Sequence, residues 1–189
     1  MDKTLENKLK KEVKKYLEFG RKGWDYPHTL ACVYWMKQLL KTEKGNSKIL
    51  VSSIYLHDIG YSGLFEKSNS DNPDEVTNMK KEHMKRSFKI SKKILGEIKG
   101  YSKKEIEKIC YLVKIHDEVD KIKTKEAQLV FEADSLGQID TKRAPPTYSK
   151  KNLKKYFIKF FNKRAPNFKT KTGRKYLKKL LAKEGYSLA

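Results

Sequence analysis

Apolar residues in this chain recur three and four positions apart over most of its length, and no stretch shows the every-second-residue alternation of a half-buried strand. That periodicity confines the fold to packed helices, which Gly and Pro punctuate. A first amphipathic helix is expected over about 4–19, stopped by Gly20. A second starts at Pro27, a favoured first-turn residue, with Asp25 placed to cap it, and runs to about 41. A third covers about 47–58 and ends at Gly60. The polar stretch 61–78, with Gly, Pro, Asn and Asp, reads as a long loop. A fourth helix spans about 79–98, and Ser102 with Glu105 forms a capping box that opens a fifth, to about 117. A sixth covers about 124–139. After a break at 143–147, two basic helices follow, about 149–163 and 172–183. The expectation is an all-α bundle of about eight helices in one domain over 1–189, with a core at about 20–140 and basic helices at about 149–184 packed on it.

Composition narrows the class. The chain has 189 residues, 38% hydrophobic and 35% charged, enough for one ordinary core under a heavily charged surface. No run approaches the roughly 18 apolar residues of a membrane span, and the first residues lack the apolar centre of a secretory leader. Cys32 and Cys110 show neither metal-type nor disulfide-type spacing. A membrane protein, a secreted disulfide scaffold and a zinc finger are therefore set aside, and a soluble, cytoplasmic domain is expected. Net charge is +21, yet only five of the 44 basic residues are Arg. Guanidinium is the preferred group for bidentate phosphate recognition, so the lysine excess reads as a compositional habit. Residues 141–183 nevertheless hold sixteen Lys or Arg and no acid. A helical protein that binds nucleic acid through this basic C-terminal region is the alternative.

Polar residues interrupt the apolar stripes at informative places. His57 continues the stripe of Ile49, Leu50, Ser53 and Ile54, and His116 continues that of Ile106, Ile109, Cys110 and Val113. His83 lies in line with Ser87, Ile90, Ile94 and Ile98, and His28 shares a face with Ala31, Cys32, Trp35 and Leu39. Asp134 is the next inward position after Ala127, Val130 and Phe131. One inward His is ordinarily a hydrogen-bonded core residue. A buried carboxylate without cations or donors is costly. Five helices each turn an imidazole or carboxylate inward, with Asp58 beside His57, and a divalent ion satisfies all of them at once.

The ordered set His28, His57-Asp58, His83, His116, Asp134 resembles the HD superfamily of metal-dependent phosphohydrolases, and His57-Asp58-Ile59-Gly60 reads as its HDIG tetrad. The segments 24–29, 131–136 and 170–175 look like segments of its small stand-alone members, so the resemblance covers about 20–183. It implies an all-α HD bundle with His28, His57, Asp58 and Asp134 as primary metal ligands, and His83 and His116 on a second ion that Asp58 bridges. The implied cofactor is one or two divalent ions (Mn, Fe, Ni, Co, Zn or Mg), and the implied ligand a nucleotide or another phosphorylated small molecule. Asp58 is then expected to orient the attacking water. Asp25 is expected to cap its helix, with a water-orienting role as the functional alternative. Some members have Lys directly after the tetrad, where this chain has Tyr61. Tyr61 and Phe65 are placed to stack on a base or to anchor the loop. Arg86, one turn after His83, is placed to clamp a phosphate, and Lys142 and Arg143 to approach one. Lys80, Lys81 and Lys85 are expected in solvent, and Tyr148, Tyr156, Phe157, Phe160 and Phe161 in the core.

Overall fold

Six of the nine described α-helices begin where a side chain caps them. Asp2 accepts from the Leu5 amide (2.9 Å) ahead of α1 (Lys3–Leu17). Asn46 accepts from Lys48 and Ile49 ahead of α3 (Ser47–Leu56). The Ser102–Glu105 capping box opens α6 (Lys103–Ile115), Thr124 caps α7 (Lys125–Ile139), and Thr170 caps α9 (Lys171–Lys183). The remaining helices are α2 (Asp25–Leu39), α4 (Pro73–Asn78), α5 (Lys80–Glu97) and α8 (Lys150–Lys163). This computed structural model describes residues 1–65 and 72–185, and among them there are nine α-helices and no strand. No described helix is long and apolar enough to cross a membrane.

Two expectations are corrected. The stretch 61–78 is not all loop. A 3-10 turn occupies Ile59–Tyr61, and α4 starts at Pro73 behind an Asn72 cap, with Asp74 and Glu75 in its first turn. Those are ordinary helix-start features, outweighed in the sequence by the Gly, Asn and Asp around them. Positions 66–71 of that expected loop lie outside the described residues. The second helix begins at Asp25, and Asp25 does not cap it. The cap position is Trp24, with no side-chain bond, because the Asp25 carboxylate turns to Arg21 instead.

One apolar cluster unites α1, α2, α3, α5, α6 and α7 through residues such as Leu9, Met36, Ile54, Leu95, Leu112 and Phe131. Each such side chain contributes roughly 1.5–3 kcal/mol when fully buried. Helices α2 and α7 lie together at its centre. Gly137 permits their approach, since a Cβ there would stand 2.3 Å from the Cys32 sulfur and 3.0 Å from its amide nitrogen. The C-terminal helices join the same cluster through Phe157, Phe160, Leu177 and Leu181. Buried Glu132 of α7 ties them down, accepting from the amides of Lys169 (2.7 Å) and Thr170 (2.8 Å) and from the Thr170 hydroxyl. On the other side, Asp74 of α4 pairs with Lys155 (2.7 Å) and Lys159 of α8.

Candidate metal centre

His57 and His116 stand at the C-terminal ends of α3 and α6, and each makes the same local bond. His57 Nδ1 lies 2.7 Å from the Ile54 carbonyl and His116 Nδ1 2.8 Å from that of Val113. A carbonyl only accepts, so both Nδ1 atoms carry a proton, and Nε2 of each ring faces the interior. His28 enters from α2, His83 from the first turn of α5 and Asp134 from α7; all are at most 1% exposed.

The ligand atoms fall into two groups. His28 Nε2 lies 3.2 Å from Asp134 Oδ1, 3.5 Å from Asp58 Oδ2 and 3.4 Å from His57 Nε2. His57 Nε2 is 3.5 Å from both carboxylate oxygens. In the second group, Asp58 Oδ1 is 3.4 Å from His83 Nε2 and 3.6 Å from His116 Nε2, and those two nitrogens are 3.4 Å apart. Donors about 2.1 Å from one ion stand roughly 3.0–3.4 Å from each other. The spacing fits a cation in each group, and lone pairs facing one another at this range need positive charge between them. Electrostatics says the same. Burial alone would raise Asp58, but His57, His116 and His83 hold it well below the usual carboxylate range. Burial would lower His28, but Cys32 and Asp134 push it up to about 10.

Cys32 lies beside the first group but differs from its other members. Its sulfur is 3.6 Å from Nδ1 and 3.5 Å from Nε2 of His28. The thiol also donates to the Asp134 carbonyl at 3.7 Å.

His83 is oriented differently from the other histidines. Its Nδ1 is buried without a hydrogen-bond partner, and the ring stacks on Tyr61 at 4.1 Å and 12°. The Arg21 guanidinium lies 4.4 Å from the same Tyr61 ring, and Phe65 stacks on it at 5.6 Å. Tyr61 therefore supports a ligand and offers no open face to a base. The glycine after Ile59 is a close-approach position: a Cβ on Gly60 would stand 2.0 Å from the His83 carbonyl. Its amide donates to Ser87 Oγ at 2.8 Å, which binds the tetrad to α5.

Other expected site residues lie elsewhere. Asp25 is fully buried, and its oxygens take the backbone amide and guanidinium of Arg21, so it does not face water. Arg86 donates to the carbonyls of Gly60 (3.0 Å) and Ser62, holding the 3-10 turn, and does not line the cavity. Arg143 pairs with Asp140 (2.8 Å) and lies 3.5 Å from the Tyr34 ring centre, away from the centre. Lys142 is exposed and does not line the cavity.

The residues missed in the sequence are Arg21, Lys80, Asp117 and Arg164. Arg164 Nη2 is 2.6 Å from Asp134 Oδ2, which leaves Oδ1 for the ligand group, and Nη1 donates to Asp117. Lys80 holds the other Asp117 oxygen at 2.8 Å. Opposed by burial, Arg164 and Lys80 still hold Asp117 down at about 2. Scarcity was the available clue. In a chain that uses Lys almost everywhere, each of the five arginines donates to a defined oxygen, Arg174 to that of Lys169 included.

Above the ligands opens a cavity of about 200 Å³, lined by Trp24, Tyr61 and Lys80 on one side and by Tyr148, Tyr156 and Lys163 on the other. Tyr148 and Tyr156 thus face the cavity, as does buried Phe160, while Phe157 is buried as expected. Comparisons with curated proteins and with solved structures give no significant match. The HD domain family model matches residues 26–138, more than half of the chain. HD domains are in general metal-dependent phosphohydrolases, and the buried His/Asp cluster fits a metal site. On the match and the fold together, this chain belongs to the HD-domain family.

Proposed function

We propose that the chain is a divalent-metal-dependent phosphohydrolase acting on a small phosphate ester, either a nucleotide or another phosphorylated small molecule. The observation that supports it most is Asp58, whose Oδ2 belongs to one ligand group and Oδ1 to the other. His28, His57, Asp134 and Asp58 would hold one ion, and Asp58, His83 and His116 the second. When bound, such ions polarise phosphoryl oxygens and acidify water. Arg164 fixes which Asp134 oxygen faces the cluster, and Arg21, 3.6 Å from Asp58 Oδ2, steadies the shared carboxylate. Lys80 adds a cation for the phosphate at the cavity wall. Asp117, beside His116 and paired with Arg164 and Lys80, adds to the cavity wall a carboxylate held well below its usual range. Trp24, Tyr148 and Tyr156 restrict water and size. A cavity of about 200 Å³ is below the range of drug-sized ligand pockets and favours a small ester over a polymer.

The test combines metal analysis with a hydrolysis screen. The purified protein is loaded with Mn, Fe, Ni, Co, Zn or Mg and offered phosphomonoesters, phosphodiesters and nucleotides. His57→Ala and Asp58→Ala should each abolish metal binding and turnover while the far-ultraviolet helical spectrum persists. Full activity in either variant refutes the reading. Salt-sensitive nucleic-acid binding that ignores chelation, with no turnover, would put the basic C-terminal helices first.

A further inference from the structure

Arg164 is not the only side chain that reaches Asp134 from outside the ligand groups. Gln138 lies one turn further along α7, and its Nε2 is 3.1 Å from Asp134 Oδ1. That oxygen is the one facing His28 at 3.2 Å and His57 at 3.5 Å, while Arg164 takes Oδ2. An ionised carboxylate only accepts, so the amide nitrogen faces Asp134 and the amide oxygen faces away. Gln138 Oε1 lies 3.3 Å from the hydroxyl of Tyr156 on α8, which is also 3.2 Å from the Gln138 backbone carbonyl. Both of those oxygens are acceptors, so the phenol is the donor. The hydrogen bonds run one way, from the Tyr156 hydroxyl to the Gln138 amide oxygen and from the Gln138 amide nitrogen to Asp134 Oδ1.

Both residues are held in place. The Gln138 carbonyl belongs to the last turn of α7, where a helix leaves its carbonyls without intrahelical donors, and Tyr156 supplies one. The Tyr156 ring packs against Tyr148 and Phe157, with ring centres 5.2 and 5.9 Å away. A glutamine side chain left to itself has several rotamers to choose from, and bonds at both ends of its amide select one. The family match ends at Gln138, so the residue that fixes its amide comes from beyond that match.

We infer that Gln138 and Tyr156 are positioning residues for the metal centre: Tyr156 orients the Gln138 amide, and the amide orients the Asp134 oxygen that faces His28 and His57. The inference rests on the metal-dependent reading of the site. A carboxylate oxygen has two lone-pair directions. The amide takes one of them on Oδ1, which leaves the other for an ion among His28, His57 and Asp134. Neither residue belongs to a ligand group, and both act through Asp134. The group of Asp58, His83 and His116 lies outside this chain of bonds, so its ion does not depend on it. Partners one hydrogen bond removed from a ligand ordinarily contribute about 10–100-fold in metal affinity.

The experiment measures binding of manganese, then of zinc, to the full chain by equilibrium dialysis, for the wild type, Gln138→Met, Tyr156→Phe and the double variant. Met keeps the unbranched chain without the amide, and Phe keeps the ring without the hydroxyl. Gln138→Met should weaken one ion by about tenfold or more, and Tyr156→Phe should weaken the same ion by about 2–10-fold. The second ion should keep its affinity, which a general loosening of α8 would not allow. In the Gln138→Met background, Tyr156→Phe should cost less than about twofold more, because its route to Asp134 is already cut. Tyr111→Phe, exposed on α6 and outside the cavity, should bind as the wild type does. Single variants within about twofold of wild type, equal weakening of both ions, or full additivity in the double variant overturns the inference and leaves the phosphohydrolase reading standing. A wild type that binds neither metal overturns both. Binding in the expected pattern without hydrolysis of any ester upholds the positioning role and overturns the hydrolase reading alone.

Discussion

Replacing Arg164 by Met gives the sharpest test of how the centre is held together. The guanidinium is 7% exposed, pairs with Asp134 and Asp117, donates to Ser135 Oγ at 2.8 Å and lies 4.6 Å from the Phe131 ring centre. Met keeps the apolar stem but removes every donor. Breaking a buried ion pair by removing one partner costs about 3–5 kcal/mol, because the remaining charge is left uncompensated. Here two carboxylates lose the same partner, which points to the upper end, although Lys80 still covers Asp117. For a chain of this size each kcal/mol corresponds to about 2–4 °C in Tm, so the chelated variant should melt roughly 6–20 °C lower. Arg164→Lys keeps the charge without the fork and should fall between. Manganese should narrow the gap, since a cation at the ligand groups replaces part of the charge lost beside Asp134. Urea unfolding followed by circular dichroism, with chelator and with manganese, measures all three. A chelated Arg164→Met protein within 1 kcal/mol of wild type would refute the argument.

Gly60→Ala pushes a methyl group to within 2.0 Å of the His83 carbonyl and 2.5 Å of the Ser87 amide. It should cost about 1–3 kcal/mol and weaken manganese binding, and unchanged binding and stability would contradict the close packing. Tyr61→Phe keeps the ring against His83 and should keep the wild-type metal-to-protein ratio at limiting manganese. Tyr61→Ala should lose metal from the His83–His116 half, and equal ratios for the two variants would remove Tyr61 from its supporting role. In chelator, stability should decline as pH falls below about 4. The Asp117 pKa drops from 3.8 to about 2 on folding, so its contribution is complete above pH 3.8 and is lost on the way to pH 2. Asp58 and Asp134, also lowered, act in the same direction, while Asp25, raised by burial, acts against them. Urea midpoints that rise from pH 4 to pH 2 would reverse the assigned sign.

The helices and five of the six inward candidates were legible because each lies on a periodic stripe of its own element, and Asp58 was legible from its place beside His57. His57 and His116 continue apolar rows, and the rows alone say which way they point. What escaped notice depends on partners distant in sequence. Asp25 has the look of a cap, yet Arg21, four residues earlier, takes its carboxylate. Arg86 shares the face of His83 as expected, but the turn of the HDIG tetrad folds over it and uses its donors. Arg164 sits in a lysine-rich helix end and reaches a carboxylate thirty residues away, a contact no local pattern encodes. Tyr148 and Tyr156 have helical spacing suited to a core, and only the placement of α8 against α4 turns them to a cavity. Short α4 was lost because its cap, proline and acids are the same residue types that make loops.

The clasp at Glu132 also sets an order in time. A ribosome adding residues from the N-terminus has delivered every imidazole and both carboxylates of the centre by residue 134, while the C-terminal groups that pair with Glu132 and Asp134 are still unmade. Arg164, which balances Asp134, comes thirty residues later, and the amides of Lys169 and Thr170, which satisfy Glu132, come later still. Until then Asp134 has the imidazoles of His28 and His57 but not its guanidinium, and Glu132 lacks the amides that satisfy it. The emerging chain thus reaches its ligands early and its charge balance late, and metal captured before the last two helices dock would meet a centre that is complete in composition and unfinished in shape.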